Sequence, residues 1–501
     1  MKCLKFSLPL TKLVNRSILV FAMLLSGGAC AEPSQSNHSV SGSFGTYERP
    51  FSARSYWNIR PVGARLGYFQ IPDSRYHPLI GEGPYSSAAF LARQSDSPMK
   101  VYGRDVKKGL WELDGEQFVD EVLIERWPAS TLPATGSDGH ADVVDPISGV
   151  VHSFFNLKKD DKGRWTAAMY AWTRLSGRGW SEPGHYYQGA RATAVPPLAG
   201  LIRKHEVNDG KPMYRHALAI SLTYNALSNT RAYVFPASSA DATWKQNSGR
   251  IPQGALLMLP EHFDTGTIDD PALRKVAETL KVYGAYVVDR NVGTPFYIYV
   301  ENGAHFDLHK PKWNSRAASG LKRIQRELRE VTSVNGWLDG HGKAFTPRES
   351  LNMASMRGSW VKLSGSGSAR YDTWSQSVVM TGVDHKTQFQ NHSNRIFNST
   401  DWGNMRVGKR YALRVQSTHG AQLELRITGS ENNRLLFDSG WLNNGDSYTF
   451  TWPAGAKKTS MRIANIKSRK SGNEKTSVRA MVYPVDELIT NPLDDSAVRS
   501  Y

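Results

Sequence analysis

Polar and apolar residues alternate along many short stretches of this chain, and turn residues separate the stretches. The alternation is clearest from Tyr214 to Tyr224, where His216, Leu218, Ile220 and Leu222 fall on one side. Side chains alternate between the two faces of a β-strand, so this pattern predicts a strand with one apolar face. The same reasoning predicts strands at His140–Val144, Val150–Leu157, Trp165–Arg174, Arg231–Pro236 and Ala285–Asp289.

Two stretches have helical spacing instead. Pro271–Tyr283 follows two aspartates and ends before Gly284, which is typical of a capped helix. Ala317–Val334 carries four apolar residues on one stripe. From Gly358 onward helical spacing is absent, and the alternation predicts strands at Arg410–Val415, Gln422–Thr428, Ser447–Trp452 and Ser460–Ile466.

The change of pattern divides the chain. We predict a mainly β protein with a few helices, in which an α+β first domain built on antiparallel sheets is joined to a C-terminal β-sandwich. The predicted divisions are a signal peptide at 1–31, a flexible leader at 32–45, a catalytic or ligand-binding β-rich domain at 46–338, a linker at 339–357, an accessory β-sandwich at 358–486 and a tail at 487–501.

The N-terminus has the order of a secretory signal. Four basic residues precede the apolar run Ser17–Leu25, and small residues ending at Ala31 follow it. We therefore expect a secreted or periplasmic protein, with an outer-membrane lipoprotein anchored at Cys30 as the alternative. The apolar run is too short to span a membrane, and no later stretch qualifies as a transmembrane segment. Both cysteines lie in this segment, so cleavage after Ala31 would leave no thiol for disulfides or metal ligation.

The formal net charge of +17 favours an anionic partner. An acidic polysaccharide, a membrane surface and nucleic acid all meet that requirement. Secretion and the lack of any zinc-finger, helix-turn-helix or RNA-binding motif argue against nucleic acid. A basic balance that only keeps the protein soluble is the alternative.

The common catalytic motifs are missing. The sequence has no phosphate-binding loop, no dinucleotide fingerprint, no Gly-x-Ser-x-Gly and no His-Glu-x-x-His. Nucleotide-dependent enzymes, hydride-transfer enzymes and ordinary α/β-hydrolases are therefore disfavoured. Three local groupings of polar residues remain as candidate sites.

The first grouping flanks the turn Asp145–Gly149. If the turn is symmetric about Ile147, Asp142 lies opposite His152, and His140 shares their face. A carboxylate beside an imidazole suits general-base catalysis. The same three residues form a weaker alternative, a metal site, because two imidazoles and a carboxylate suit zinc. Ordinary strand residues with structural hydrogen bonds are the third interpretation.

The second grouping combines residues 203–206 with residues 214–216. A hairpin through Asn208–Lys211 would set the two segments side by side. Guanidinium, imidazole, phenol and carboxylate groups together are what a uronate-cleaving lyase needs. A buried core histidine is the alternative for His216.

The third grouping consists of acids near the ends of later strands, Asp289 and Glu301, which could pair with each other or with Asp142 or Glu206. A glycoside hydrolase needs two carboxylates at a defined separation, which sequence does not give. Taking the groupings together, we predict the catalytic residues His140, His216, Glu206 and Asp289. The predicted substrate-binding residues are Arg203, His205, Tyr214, Arg215, Tyr187 and Arg191.

Several phrases resemble a group of secreted bacterial and actinobacterial proteins. They are Ser-Asp-Gly-His-Ala-Asp-Val-Val-Asp-Pro from Ser137, Gly-Leu-Ile-Arg-Lys-His-Glu-Val from Gly200, Arg-His-Ala-Leu-Ala from Arg215 and Tyr-Gly-Ala-Tyr-Val-Val-Asp-Arg-Asn from Tyr283. The resemblance implies that His140, Glu206, His216 and Asp289 lie in recurrent phrases, and it implies no particular activity. The C-terminal part resembles an accessory β-sandwich of the carbohydrate-binding kind.

These observations favour a secreted carbohydrate-active enzyme that cleaves an extracellular, acidic polysaccharide. A lyase is favoured over a glycoside hydrolase because of the basic charge and the second grouping. The alternative is a non-catalytic envelope or matrix protein that binds an anionic glycan. No cofactor is expected, with a divalent metal as the alternative.

Overall fold

The computed structural model describes residues 43–105, 107–182, 184–347, 352–392, 405–457, 460–472 and 474–485. The predicted signal peptide with Cys30, most of the leader, residues 348–351 of the predicted linker and the C-terminal tail lie outside the described residues. No helix of the described part is long and apolar enough to cross a membrane.

Among the described residues, the first part of the chain holds twenty strands and two α-helices. In chain order they are β1 (Arg60–Val62), β2 (Arg65–Leu66), β3 (Leu79–Gly81), β4 (Ala89–Leu91), β5 (Met99–Gly103), β6 (Leu110–Glu112), β7 (Gln117–Val119), β8 (Glu121–Ile124), β9 (Ala141–Asp145), β10 (Val150–Phe155), β11 (Lys158–Lys159), β12 (Trp165–Ala167), β13 (Met169–Arg174), β14 (Leu218–Thr223), β15 (Leu256–Met258), α1 (Pro271–Val282), β16 (Ala285–Asn291), β17 (Phe296–Tyr299), α2 (Ser315–Glu327), β18 (Arg329–Ser333), β19 (Gly336–Leu338) and β20 (Ala344–Phe345). Short 3-10 turns lie at Trp244–Gln246 and Thr265–Thr267.

Ten further strands lie in the described residues of the C-terminal part. They are β21 (Trp360–Ser364), β22 (Ser368–Asp372), β23 (Ser377–Thr381), β24 (Gln388–Asn391), β25 (Arg410–Ser417), β26 (Gln422–Thr428), β27 (Leu435–Asp438), β28 (Ser447–Thr451), β29 (Met461–Lys467) and β30 (Thr476–Pro484). Two antiparallel five-stranded sheets, in the orders β21-β24-β29-β26-β27 and β22-β23-β30-β25-β28, enclose one apolar core. The predicted β-sandwich is confirmed.

The first part is layered around a mixed seven-stranded sheet in the order β2-β18-β15-β16-β14-β17-β3. Helices α1 and α2 pack on one face of this sheet. The other face packs against a six-stranded sheet in the order β4-β9-β10-β13-β6-β7. Beyond that sheet lies a four-stranded one, β11-β12-β5-β8, and a three-stranded sheet, β1-β19-β20, joins the edge. The mainly β fold with few helices is confirmed, although several strand pairs are parallel.

Both predicted helices are present, but only the first has the predicted extent. The first begins at Pro271, with the Asp270 side chain accepting hydrogen bonds from two backbone N–H groups, as predicted. The second ends at Glu327, so its predicted extension to Val334 is wrong. Residues 329–333 form β18 instead, because Arg329 and Glu330 pair with β15 and the following residues pair with β2.

Candidate functional site

Polar side chains collect between the seven-stranded and six-stranded sheets, where an apolar core would be expected. One of them is placed by a β-bulge in β16. Ile220 pairs with Val287, but Ser221 pairs with Asp289, so Val288 is the extra residue. A bulge turns the following side chain to the other face of the sheet. Asp289 therefore faces the space between the sheets rather than the helices.

Arg191 reaches the same place from the loop before β14. Its side chain is buried, its Nη1 lies 3.4 Å from Asp289 Oδ2, and its guanidinium carbon lies 4.0 Å above the ring of Tyr299. The Nε and Nη2 atoms have no hydrogen-bond partner among the described residues. These two nitrogens form one edge of the guanidinium, the edge that binds a carboxylate through two parallel hydrogen bonds.

Asp289 has a second acid beside it. Burial and the charge of Asp241 raise the pKa of Asp289 to about 7, although Arg191 opposes the rise. Burial also raises the pKa of Asp241, whose Oδ2 accepts a hydrogen bond of 2.6 Å from Gln253 Nε2. The backbone N–H of Arg290 hydrogen-bonds Asp289 and also reaches the Asp241 carboxyl group. Ionising two carboxyl groups that converge in this way is costly, so the pair favours holding a proton.

His140 lies close enough to Arg191 to feel its charge, and its imidazole is neutral. Burial and the charge of Arg191 lower the pKa of His140 to about 3. Its Nδ1 lies 3.3 Å from the carbonyl oxygen of Phe154, so Nδ1 carries the hydrogen and Nε2 keeps a lone pair. The structure thus brings together three predicted site residues, His140, Arg191 and Asp289.

The predicted face shared by His140, Asp142 and His152 is wrong. Asp145 pairs with Val150 across the turn, which leaves Asp142 opposite Ser153 and His152 opposite Val143. A shift of one residue moves every side chain to the other face of the strand. His152 consequently lies on the far side of the sheet, where its Nδ1 lies 2.8 Å from the Tyr170 hydroxyl.

The weaker alternative was a metal site at these three residues. It required them to share one face, and His152 lies on the opposite face from Asp142. Asp142 is buried, and it accepts a hydrogen bond from the backbone N–H of Leu198. Burial raises its pKa to about 7. Across the described residues, no group of three or more His, Cys, Asp or Glu side chains is placed to hold a metal ion.

The second grouping forms a separate set of ion pairs. Arg203 and Glu301 are both buried, with Arg203 Nε 2.9 Å from Glu301 Oε2. Arg203 Nη1 also donates to the carbonyl oxygen of Tyr47, so its hydrogen bonds hold the chain together. Glu206 Oε2 lies 3.1 Å from His216 Nε2. The predicted hairpin is wrong, because neither 203–206 nor 214–216 forms a strand, yet Glu206 and His216 still meet.

The charges of that pair favour a stable salt bridge. Burial alone would raise the pKa of Glu206, but His216 lowers it to about 2. Burial would lower the pKa of His216, but Glu206 and the carbonyl oxygen of Ala217 raise it. The raised pKa of His216 favours the protonated imidazole, a state that cannot act as a base.

The remaining predicted binding residues are spread over three environments. His205 and Arg215 are exposed on the surface beside the Glu206–His216 pair. Tyr214 is buried, with its ring 4.4 Å from Lys275 Nζ. Tyr187 lies where the sandwich meets the first part of the chain, with Arg357 4.8 Å from its ring. Asp241 is not among the residues predicted from the sequence, because it lies in a loop and only its long-range contacts mark it.

No protein-family model matches the sequence, and no curated protein matches it. The chain is similar to a glycosylation-associated protein complex (Gap123) from Streptococcus agalactiae, with 14% identity over 23% of this chain and 39% of that chain, at a TM-score of 0.18. It is also similar to CBM86, a low-affinity xylan-binding module from Roseburia intestinalis, with 9% identity over 25% of this chain and 86% of that chain, at a TM-score of 0.17.

A variant of CBM29-2, a family 29 carbohydrate-binding module, has 10% identity over 29% of this chain and 96% of that chain, at a TM-score of 0.17. This chain therefore spans well under half of the Streptococcus agalactiae chain and most of each binding module. TM-scores this low support no inference about what this chain does.

Proposed function

We propose that this protein is a carbohydrate-active enzyme that cleaves an acidic polysaccharide at the site formed by Arg191, Asp289 and His140. The observation that carries the proposal is the buried guanidinium of Arg191, whose Nε and Nη2 are unpartnered in the described part of the chain. Buried N–H groups without partners are costly, and a uronate carboxylate would satisfy both of them. The basic net charge supports the same class of substrate.

A lyase reaction follows from these groups. Arg191 would neutralise the uronate carboxylate and so acidify the proton on the adjacent carbon. Asp289, with its pKa raised to about 7, would take that proton and return it to the leaving glycosidic oxygen. The C–H and C–O bonds break, and a carbon–carbon double bond forms between the two carbons. The Nε2 lone pair of His140 would accept a hydrogen bond from a sugar hydroxyl.

Glycoside hydrolysis is the second candidate, and Asp241 favours it. Hydrolases of this kind use two carboxyl groups, one of them held protonated by a raised pKa. Asp289 and Asp241 both have raised pKa values and share the Arg290 N–H. A non-catalytic protein that binds an anionic glycan through Arg191 is the remaining alternative. Secretion, and membership of the family that the quoted phrases resemble, stay predictions from the sequence.

A panel of acidic polysaccharides separates these candidates. The full chain is incubated with pectate, alginate, hyaluronan and heparin, and both absorbance near 235 nm and new reducing ends are followed. Unsaturated products indicate a lyase, reducing ends alone indicate a hydrolase, and binding without products indicates a binding protein. Asp289→Asn should lower turnover by about 10²- to 10⁴-fold, whereas Asp160→Asn, in an exposed hairpin, should not. Equal turnover in the two variants would refute the assignment of Asp289.

A further inference from the structure

The outward face of one sandwich sheet carries an ordered set of polar side chains. In strands β24, β26 and β29 the residues Phe389, Leu423, Leu425, Ala464 and Ile466 point into the sandwich core. Their neighbours along each strand must point outward, because side chains alternate. These outward residues are Gln388, Gln390, Gln422, Glu424, Asn465 and Lys467.

Strand register arranges them in two rows. Gln390 and Glu424 both lie beside Asn465, and Gln388 and Gln422 both lie beside Lys467.

The bridge between Leu423 and Leu442 lengthens each row by one residue. It sets Trp441 beside Glu424 and Asn443 beside Gln422. We call these eight outward residues the amide platform.

Hydrogen bonds connect the platform across the strands. Gln390 Nε2 donates to Asn465 Oδ1 at 3.0 Å, and Asn465 Nδ2 donates to Glu424 Oε2 at 2.8 Å. In the other row Gln422 Nε2 donates to Asn443 Oδ1 at 2.7 Å. These bonds fix the side chains in place before any ligand arrives, which lowers the entropy cost of binding.

The platform also carries a half-buried tryptophan. Lys467 Nζ lies 3.9 Å from the centre of the Trp441 ring, which holds the indole in a defined position. A tryptophan face beside amide groups suits a sugar ring, because the ring's C–H groups pack on the indole while its hydroxyls meet the amides.

Several platform residues are more buried than the polar residues of an ordinary solvent-exposed sheet face. Glu424, Asn465 and Gln422 point outward, yet their exposed fractions are 5%, 6% and 8%. Gln422 Oε1 is buried and has no hydrogen-bond partner among the described residues. Buried polar atoms are nearly always paired, so this acceptor points to a missing donor such as a hydroxyl group.

The charges of the platform cancel. Glu424 and Lys467 carry opposite charges, and Arg426 at its edge pairs with Asp438 at 2.9 Å. A ligand held here is therefore selected by hydrogen bonding rather than by net charge. This is the opposite of the Arg191 site, which requires an anion.

We propose that the amide platform is a second ligand site, which binds an uncharged, hydroxyl-rich glycan through Trp441 and the amides of both rows. The site lies on a different part of the chain from the proposed catalytic groups and does not depend on them. The protein would thus bind a neutral glycan through the sandwich while it acts on an acidic glycan through the first part of the chain.

The test uses the full chain with soluble arabinoxylan, mixed-linkage β-glucan, galactomannan and dextran, by affinity gel electrophoresis and calorimetry. Wild type should bind at least one of them with the same affinity at 0.05 and 0.5 M NaCl. Trp441→Ala should weaken binding about tenfold or more, as expected for an anchoring aromatic residue. Tyr448→Ala, an exposed aromatic residue of the other sandwich sheet, should bind as wild type.

A second variant distinguishes loss of binding from loss of folding. Gln388→Ala removes a partly exposed amide of the platform, so weaker binding at an unchanged melting temperature would support the proposal. The proposal is overturned if wild type binds none of the four glycans, or if both Trp441→Ala and Gln388→Ala bind as wild type. If the chain binds a neutral glycan but cleaves no acidic polysaccharide, the proposed function is refuted and the proposal of this second site is supported.

Discussion

Asp289→Asn should make the protein more stable at alkaline pH. The Asp289 side chain is 15% exposed, and burial with the neighbouring Asp241 raises its pKa from 3.8 to about 7. In the unfolded chain the carboxyl group would lose its proton near its ordinary pKa. Its contribution to stability is thus complete below pH 3.8 and is lost as the pH rises through 7.

The size of the effect follows from the same values. Each pKa unit corresponds to 1.36 kcal/mol, so ionised Asp289 destabilises the folded state by up to about 4 kcal/mol above pH 7. Asparagine has the shape of the protonated acid and stays neutral, and its amide oxygen still accepts a hydrogen bond from Arg191. We expect the variant to melt on the order of 5 °C higher than wild type at pH 8, with no difference at pH 4.

Calorimetry at pH 4, 6 and 8 measures this change, because a chain of this size need not unfold in one step. Glu206→Gln is the control with the opposite sign. The pKa of Glu206 is lowered to about 2, so its ionised form stabilises the fold above pH 4.5, and the substitution should cost up to about 3 kcal/mol at pH 7. A melting temperature of Asp289→Asn at or below wild type at pH 8 would refute the reasoning.

Two further predictions concern other parts of the chain. His216→Ala should lower the melting temperature most below pH 6.5, and the loss should shrink as the pH rises through the raised pKa of His216, because Glu206 then loses its charged partner in wild type as well. If His216→Ala lost turnover at an unchanged melting temperature, His216 would be a catalytic residue after all. Limited proteolysis should cut in the exposed stretch 341–344, while Arg357, which is fully buried, should be protected. Cuts at the termini alone would contradict the predicted domain boundary.

Local sequence pattern predicted both helices and several of the longer strands, although the strand predicted at Arg231–Pro236 does not form. The first helix begins where Asp270 and Pro271 predict, because capping depends on residues adjacent in the chain. The strand Gln422–Thr428 has the predicted ends, because alternation is a property of one strand alone. The second helix ended early because β18 gains its stability from pairing with β15, which lies far away in the sequence.

The tertiary structure decided which polar residues share a site. The strands around the turn after Asp145 pair one residue out of the predicted register, which places His152 and Asp142 on opposite faces. The alternation of residues along one strand cannot reveal such a shift. A single extra residue, Val288, turned Asp289 toward Arg191, which is nearly a hundred positions away in the chain. Asp241 gained its raised pKa from burial in a contact that no nearby residue signals. Local pattern therefore determined several of the strands, whereas pairing and burial between distant strands determined the chemistry.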